Sequence, residues 1–233
     1  GFNEGTPSGD VTAEMVYANY GRTEDYEVLE ERGVSVEGKI VLVRHGGAQR
    51  GEKPYQAYIH GVAGLILYSD PADDGFVRGP VYPEGPWRAP DCIERGTVYR
   101  WTEYAGDPLT PGWAATKYAP RIPVEESNIS KIPPTTSIGY GAAQPLLENL
   151  KGPVAPDGWQ GGLPFTYHLG GPGSTTVHLQ IDAQYEPRAI WNVIARIPGS
   201  ERPDEMVVIG THYDTWAYGV RDNTAGVTTQ LEM

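Results

Sequence analysis

A histidine and two aspartates stand close together in the run Thr211-His212-Tyr213-Asp214, followed by Asp222-Asn223. Imidazole nitrogen and carboxylate oxygen are ligand types that suit Zn²⁺. The segment before them, Met206-Val207-Val208-Ile209-Gly210-Thr211, reads as an apolar strand ending at the histidine. A glycine-bearing loop then brings Asp222 to the start of a helix. In α/β sheets ligands gather at the carboxyl ends of strands. A catalytic zinc takes about three protein ligands and keeps an open position. His212 and Asp222 would therefore be the opening of a metal site. Read without context, the same three residues serve more often as caps and turn formers.

The elements that would position these groups are legible in part. Thr23 precedes the acidic stretch Glu24 to Glu31 and Gly33 follows, which predicts a short helix with Thr23 as its N-cap. Lys39 to Arg44 predicts a buried strand, Pro54 to His60 a helix, and Gly64 to Ser69 a second strand. A strand–helix–strand unit of this kind implies parallel pairing. Residues 72–134 are rich in Gly, Pro and aromatics, and their length suggests an ordered docking or functional surface. Ala142 to Leu150 predicts a helix, and the alternation in Thr175 to Asp182 a half-buried strand. Ala189 to Ile197 and Met206 to Thr211 predict two further strands. The pattern shifts near Glu186-Pro187, where a domain boundary is expected.

Composition narrows the function classes. The 233 residues carry a formal charge of −12, which disfavours nucleic acid or an anionic membrane surface as the partner. Thirty Gly and twenty-one Pro argue for many turns. Cys92 is the one cysteine, so an intrachain disulfide is impossible. No apolar run is long enough for a membrane helix, and no signal peptide is visible at Gly1. Asn128-Ile129-Ser130 fits a glycosylation acceptor triplet. His45, His60, His168 and His178 have no partner at ligand spacing and read as structural.

Several strings carry a resemblance. They are Val16 to Gly21, Gly38 to Arg44, Gly64 to Asp73, Ala105 to Gly112, Ile138 to Tyr140, Trp191 to Ile194 and the His212 region. Together they resemble glutamate carboxypeptidase II and its transferrin-receptor-like relatives. That family joins a protease-associated domain to a two-zinc exopeptidase domain. The resemblance implies an α/β (mixed α+β) fold: a protease-associated domain with a β-sandwich or barrel-like sheet and short helices, then the first strands of a zinc-exopeptidase α/β sheet. Expected limits are 1–15 for a lead-in segment, 16–186 for the protease-associated domain and 187–233 for the beginning of the peptidase domain.

The resemblance also implies roles. His212 would bind one zinc, Asp222 would bridge two, and Asp214 would fix the imidazole tautomer. The peptide bond after the bridging aspartate is cis in that family. Arg50 would meet the substrate's terminal carboxylate, for which a guanidinium fork is suited. Thr97 stands where the family's carboxypeptidase has an asparagine facing that carboxylate, and Gln49 replaces an aromatic residue. Backbone carbonyls of Thr110 and Trp113 would help to hold Ca²⁺. The general-base glutamate and the remaining zinc ligands would lie downstream of Met233, so this stretch alone would be inactive. The expected function is that of a metallopeptidase acting on peptides or N-acyl amino acids, with a homodimer of the intact protein and no nucleic-acid partner. An extracellular, periplasmic or membrane-anchored ectodomain setting goes with it. The alternative is a non-catalytic protease-associated binding module. Retention of both His212 and Asp222 favours the enzyme.

Overall fold

A computed structural model describes residues 3–100, 106–215 and 219–232, with the Arg221 side chain left aside. The chain forms two compact units, Gly1–Pro187 and Arg188–Met233.

The first unit is a five-stranded mixed sheet with short helices. Its strands are β1 (Gly9–Tyr17), β2 (Ile40–Arg44), β3 (Gly64–Tyr68), β4 (Thr135–Ile138) and β5 (Thr176–Ile181), in the spatial order β4-β3-β2-β1-β5. β1, β2, β3 and β4 pair in parallel, with Val16 opposite Val41, Leu42 opposite Ile66 and Leu67 opposite Ser137. β5 pairs antiparallel with β1, Val11 opposite Leu179. Every residue of β2 and β3 is buried. That burial explains their unbroken apolar runs, as expected of parallel strands covered on both faces. Leu42, Leu65 and Leu67 are fully buried, and each such side chain contributes roughly 1.5–3 kcal/mol. The helices are α1 (Thr23–Glu31), α2 (Glu52–Ile59), α3 (Pro71–Asp74) and α4 (Tyr140–Glu148).

Two strands escape the sequence reading. β4 is only four residues long and polar at three of them. β1 lies inside the sheet, between β2 and β5, yet its Asp10, Thr12 and Glu14 dilute the apolar signal. Alternation against Val11, Ala13 and Met15 would have exposed it. β1 also runs across the expected 15/16 limit.

The cap of α1 is a correction. Arg22, not Thr23, is the N-cap residue, and the Asp25 carboxylate accepts the Arg22 backbone N–H at 3.0 Å. The acid at the third helical position thus satisfies the N–H of the N-cap residue, the return bond of a capping box. Asp70 caps α3: its carboxylate accepts from Ala72 N at 2.9 Å, Gly162 N at 2.7 Å, Tyr68 Oη at 2.9 Å and Tyr167 Oη at 2.7 Å.

Among the described residues the second unit holds the helix α5 (Ala225–Leu231), entered through a turn over Val220–Thr224. The strands expected over 189–197 and 206–211 are not formed as ladders. Neither run forms regular secondary structure, and Val193, Ile197 and Val207 are 86%, 95% and 91% exposed. β-propensity expresses fit to a pleated, partnered surface. Neither run has a partner strand among the described residues.

Candidate metal pair and substrate pocket

The turn after Gly219 brings Asp222 back to His212. Gly219 has φ +71°, and a Cβ there would lie 2.4 Å from the Thr215 side chain, so only glycine fits. Asp222 and Asn223 leave helical geometry, with φ −115° and −131°, and the bond between them is cis, as the resemblance implies. The Asn223 amide donates to the Thr211 hydroxyl and to the His212 carbonyl. Gly226 leaves room for this, since a Cβ there would lie 2.4 Å from Asn223 Oδ1 and 2.5 Å from Thr211 Oγ1.

His212 Nε2 consequently lies 3.1 Å from Asp222 Oδ1, and Nδ1 lies 2.9 Å from Asp214 Oδ1. Hydrogen bonding to Asp214, with the Asp222 charge nearby, raises the imidazole pKa. The Asp214 bond leaves Nε2 as the nitrogen available on the Asp222 side. An imidazole nitrogen and a carboxylate oxygen 3.1 Å apart match the spacing of two ligands each ~2 Å from one ion. The donor set therefore fits zinc, as two ligands of a larger set. Among the described residues no group of three or more His, Cys, Asp or Glu could hold a metal. Trp216, Ala217 and Tyr218, between the pair in sequence, lie outside the described residues, as does Ala105 of the 105–112 string.

The first unit has its own site. His45, Gly46, Ala48, Gln49, Arg50, Lys53, Glu94 and Thr97 line a pocket of about 340 Å³. The loop after β2 supplies one wall. Gly46 and Gly47 have φ +84° and +68°, and a Cβ on Gly47 would meet the Tyr20 ring at 2.5 Å. Gly51, next to Arg50, packs against the Tyr99 backbone, where a Cβ would stand 2.0 Å from the carbonyl oxygen. Both expected substrate-binding residues, Arg50 and Thr97, lie here. Arg50 Nη2 pairs with Glu94 Oε1 at 2.9 Å, and Thr97 donates its hydroxyl to Glu4 at 2.7 Å.

Sequence reasoning missed three members of this pocket. Lys53 is fully buried and donates to the backbone carbonyls of Tyr20 and Gly46. Burial pulls its pKa down to about 7. His45 is 5% exposed, and burial, opposed by Glu94, brings its pKa to about 4. Burial pushes Glu94 up, but His45, Arg50 and Arg88 outweigh it and hold the carboxyl below its usual range. Lys53 and Glu94 carry no motif, and their placement follows from a tertiary contact between segments far apart in sequence. The other three histidines do make the structural contacts expected: His60 bonds Gln56 O, His168 Gly152 O and His178 Asp10.

The expected calcium residues sit in a tight turn. Asp107 Oδ1 accepts from Leu109 N at 2.9 Å, and the Thr110 carbonyl accepts from Trp113 N at 3.3 Å. Asp107 Oδ2 is paired with Arg121 at 3.3 Å. The Asn128 side chain is buried and donates to the Arg100 carbonyl at 3.0 Å, so the nitrogen of the glycosylation triplet is already engaged.

Comparison with known proteins follows the same division. Residues 11–91 match the PA domain family and residues 192–233 match Peptidase family M28. Aminopeptidase NAALADL1 of Rattus norvegicus is 38% identical over 246 residues, covering 98% of this chain and 31% of that protein. A glutamate carboxypeptidase 2 homolog of Caenorhabditis briggsae is 34% identical, covering 97% and 30%. Transferrin receptor protein 2 of Homo sapiens is 37% identical, covering 97% and 27%. The chain spans about a third of the length of these curated relatives.

Proposed function

We propose, for a chain that belongs to the family joining a PA domain to an M28 peptidase segment, that it is part of a zinc exopeptidase acting on peptides or N-acyl amino acids. The observation that carries this reading is the 3.1 Å approach of His212 Nε2 to Asp222 Oδ1, with Asp214 holding the far nitrogen.

In this reading His212 and Asp222 hold metal, and Asp222 has a second oxygen to offer another ion. Zinc, when bound, would lower the pKa of a water and polarise the scissile carbonyl. Asp214 keeps a proton on Nδ1, so that Nε2 presents its lone pair. Arg50 and Thr97 orient the polar end of the substrate in the 340 Å³ pocket. Thr110 and Trp113 contribute carbonyls to a calcium site. The pair needs further ligands and a general base to catalyse.

The test is a zinc titration followed by NMR of the histidine rings. His212 should shift selectively, and Asp222→Asn should abolish the shift. Equal response of His168, His178 and His212, or none at millimolar zinc, would overturn the assignment.

The second reading is a PA-domain binding module without catalysis. The likeness to a transferrin receptor favours it, and it requires that zinc leave His212 undisturbed.

A further inference from the structure

Arg50 already has a carboxylate. Its Nη2 lies 2.9 Å from Glu94 Oε1, and the guanidinium lies so close to the 94–97 backbone that a Cβ on Gly96 would be 2.3 Å from Nη1. The second oxygen of Glu94 is 3.4 Å from Arg88 Nη2 and 3.5 Å from Ser69 Oγ. Arg88 is itself paired with Asp74 at 2.6 Å. Two guanidinium groups thus face two carboxylates, and the cluster is formally neutral. Lys53, the remaining cation, spends its donors on the backbone carbonyls of Tyr20 and Gly46. The polar atoms left over are Arg50 Nε and His45 Nε2, both buried and without a hydrogen-bond partner.

Orphaned donors and acceptors of this kind are costly unless a ligand satisfies them. Neutral imidazole can donate or accept and guanidinium donates, so together they suit an uncharged group with both functions. A carboxylate arriving at Arg50 would stand beside Glu94, or would have to displace it. Like charges a few ångströms apart in a partly dry site disfavour each other strongly. Burial pushes the Glu94 carboxyl up, but the hydrogen bond and charge of Arg50 and the charge of Arg88 help to hold it below its usual range.

We propose that Glu94 is the specificity-determining residue of this pocket: it fills the carboxylate-binding fork of Arg50 and selects substrates that present an uncharged amide or carbonyl there. The inference rests on the reading of this pocket as the substrate pocket and names its substrate class. Glu94→Gln should free the fork, because a neutral amide of the same shape competes poorly for a guanidinium.

The experiment titrates the 233-residue protein with glutarate and with its uncharged diamide by isothermal titration calorimetry. The wild-type protein should bind the diamide at least as tightly as glutarate. Glu94→Gln should bind glutarate at least tenfold more tightly than wild type, and Arg50→Ala added to it should remove the gain. Glu94→Ala supplies the same comparison should the glutamine variant fold poorly. Equal glutarate binding with and without the Glu94 carboxylate, or a gain that persists without Arg50, would overturn the proposal. The zinc response of His212 is read separately, so failure of the peptidase reading cannot be mistaken for failure here.

Discussion

Asn223 holds His212 by its backbone: the side-chain amide of the former donates to the carbonyl of the latter and to the Thr211 hydroxyl beside it. This contact fixes the separation of His212 from Asp222, because Asn223 is the residue next to that aspartate. Asn223→Ala should leave both proposed ligand side chains in place chemically and spoil their approach. Zinc affinity, measured by competition with a chelating dye, should fall by about 10–100-fold, the usual cost of removing an outer support. An unchanged affinity would show that other contacts set the geometry.

Asp214 acts on the other face of the same ring. It accepts from Nδ1 at 2.9 Å and raises the pKa of His212. Asp214→Ala should lower that pKa, which NMR titration of the ring reads directly. Zinc affinity should also drop about tenfold or more, since the tautomer is no longer fixed. The paired outcomes separate positioning from simple charge loss, which would weaken binding without altering the tautomer.

Lys53 gives a pH dependence of stability. Its folded pKa of about 7 lies below the ordinary lysine value of 10.5, so between these values the unfolded chain binds the extra proton. Stability should therefore rise from pH 7 to pH 9, by at most about 1.4 kcal/mol per pH unit. Urea denaturation of wild type against Lys53→Met should show a flatter profile in the variant. Above pH 10 the buried tyrosines oppose the trend, because Tyr26 and Tyr68 have raised pKa values and stay protonated in the folded state.

Asp70 is the polar centre of the first unit. It satisfies two buried tyrosine hydroxyls and two backbone amides, and it is fully buried itself. Asp70→Ala would orphan these donors at about 1–3 kcal/mol each, partly relieved by entering water. A loss of about 3 kcal/mol is expected in chemical denaturation. Tyr167→Phe, which removes one donor and leaves the carboxylate otherwise satisfied, should cost about 1 kcal/mol.

The sequence reading succeeded where a signal is local. The β2–α2–β3 unit is marked by continuous apolar runs around a helix, and its strands pair in parallel as expected. His212 and Asp222 share a short loop, so their spacing alone suggested convergence. It faltered where a residue's state depends on what lies across from it. Val193 and Val207 have strand-like chemistry but no ladder among the described residues. Glu94 looks like a surface acid until Arg50, 44 residues earlier, is placed against it. Thr23 has the chemistry of an N-cap, but the cap position falls one residue earlier, at Arg22, whose N–H is met by Asp25.

Backbone touches backbone where Gly51 meets the Tyr99 carbonyl. Any side chain at 51 would collide with the Tyr99 carbonyl and separate the stretch that carries Arg50 from the one that carries Glu94 and Thr97. Selection could then alter what this pocket recognises by exchanging side chains at 49, 94 and 97, but not by widening it at 51. Insertions or larger residues would be expected elsewhere along the loop first. The pocket behaves as a frame of fixed aperture, in which recognition is rewritten one side chain at a time.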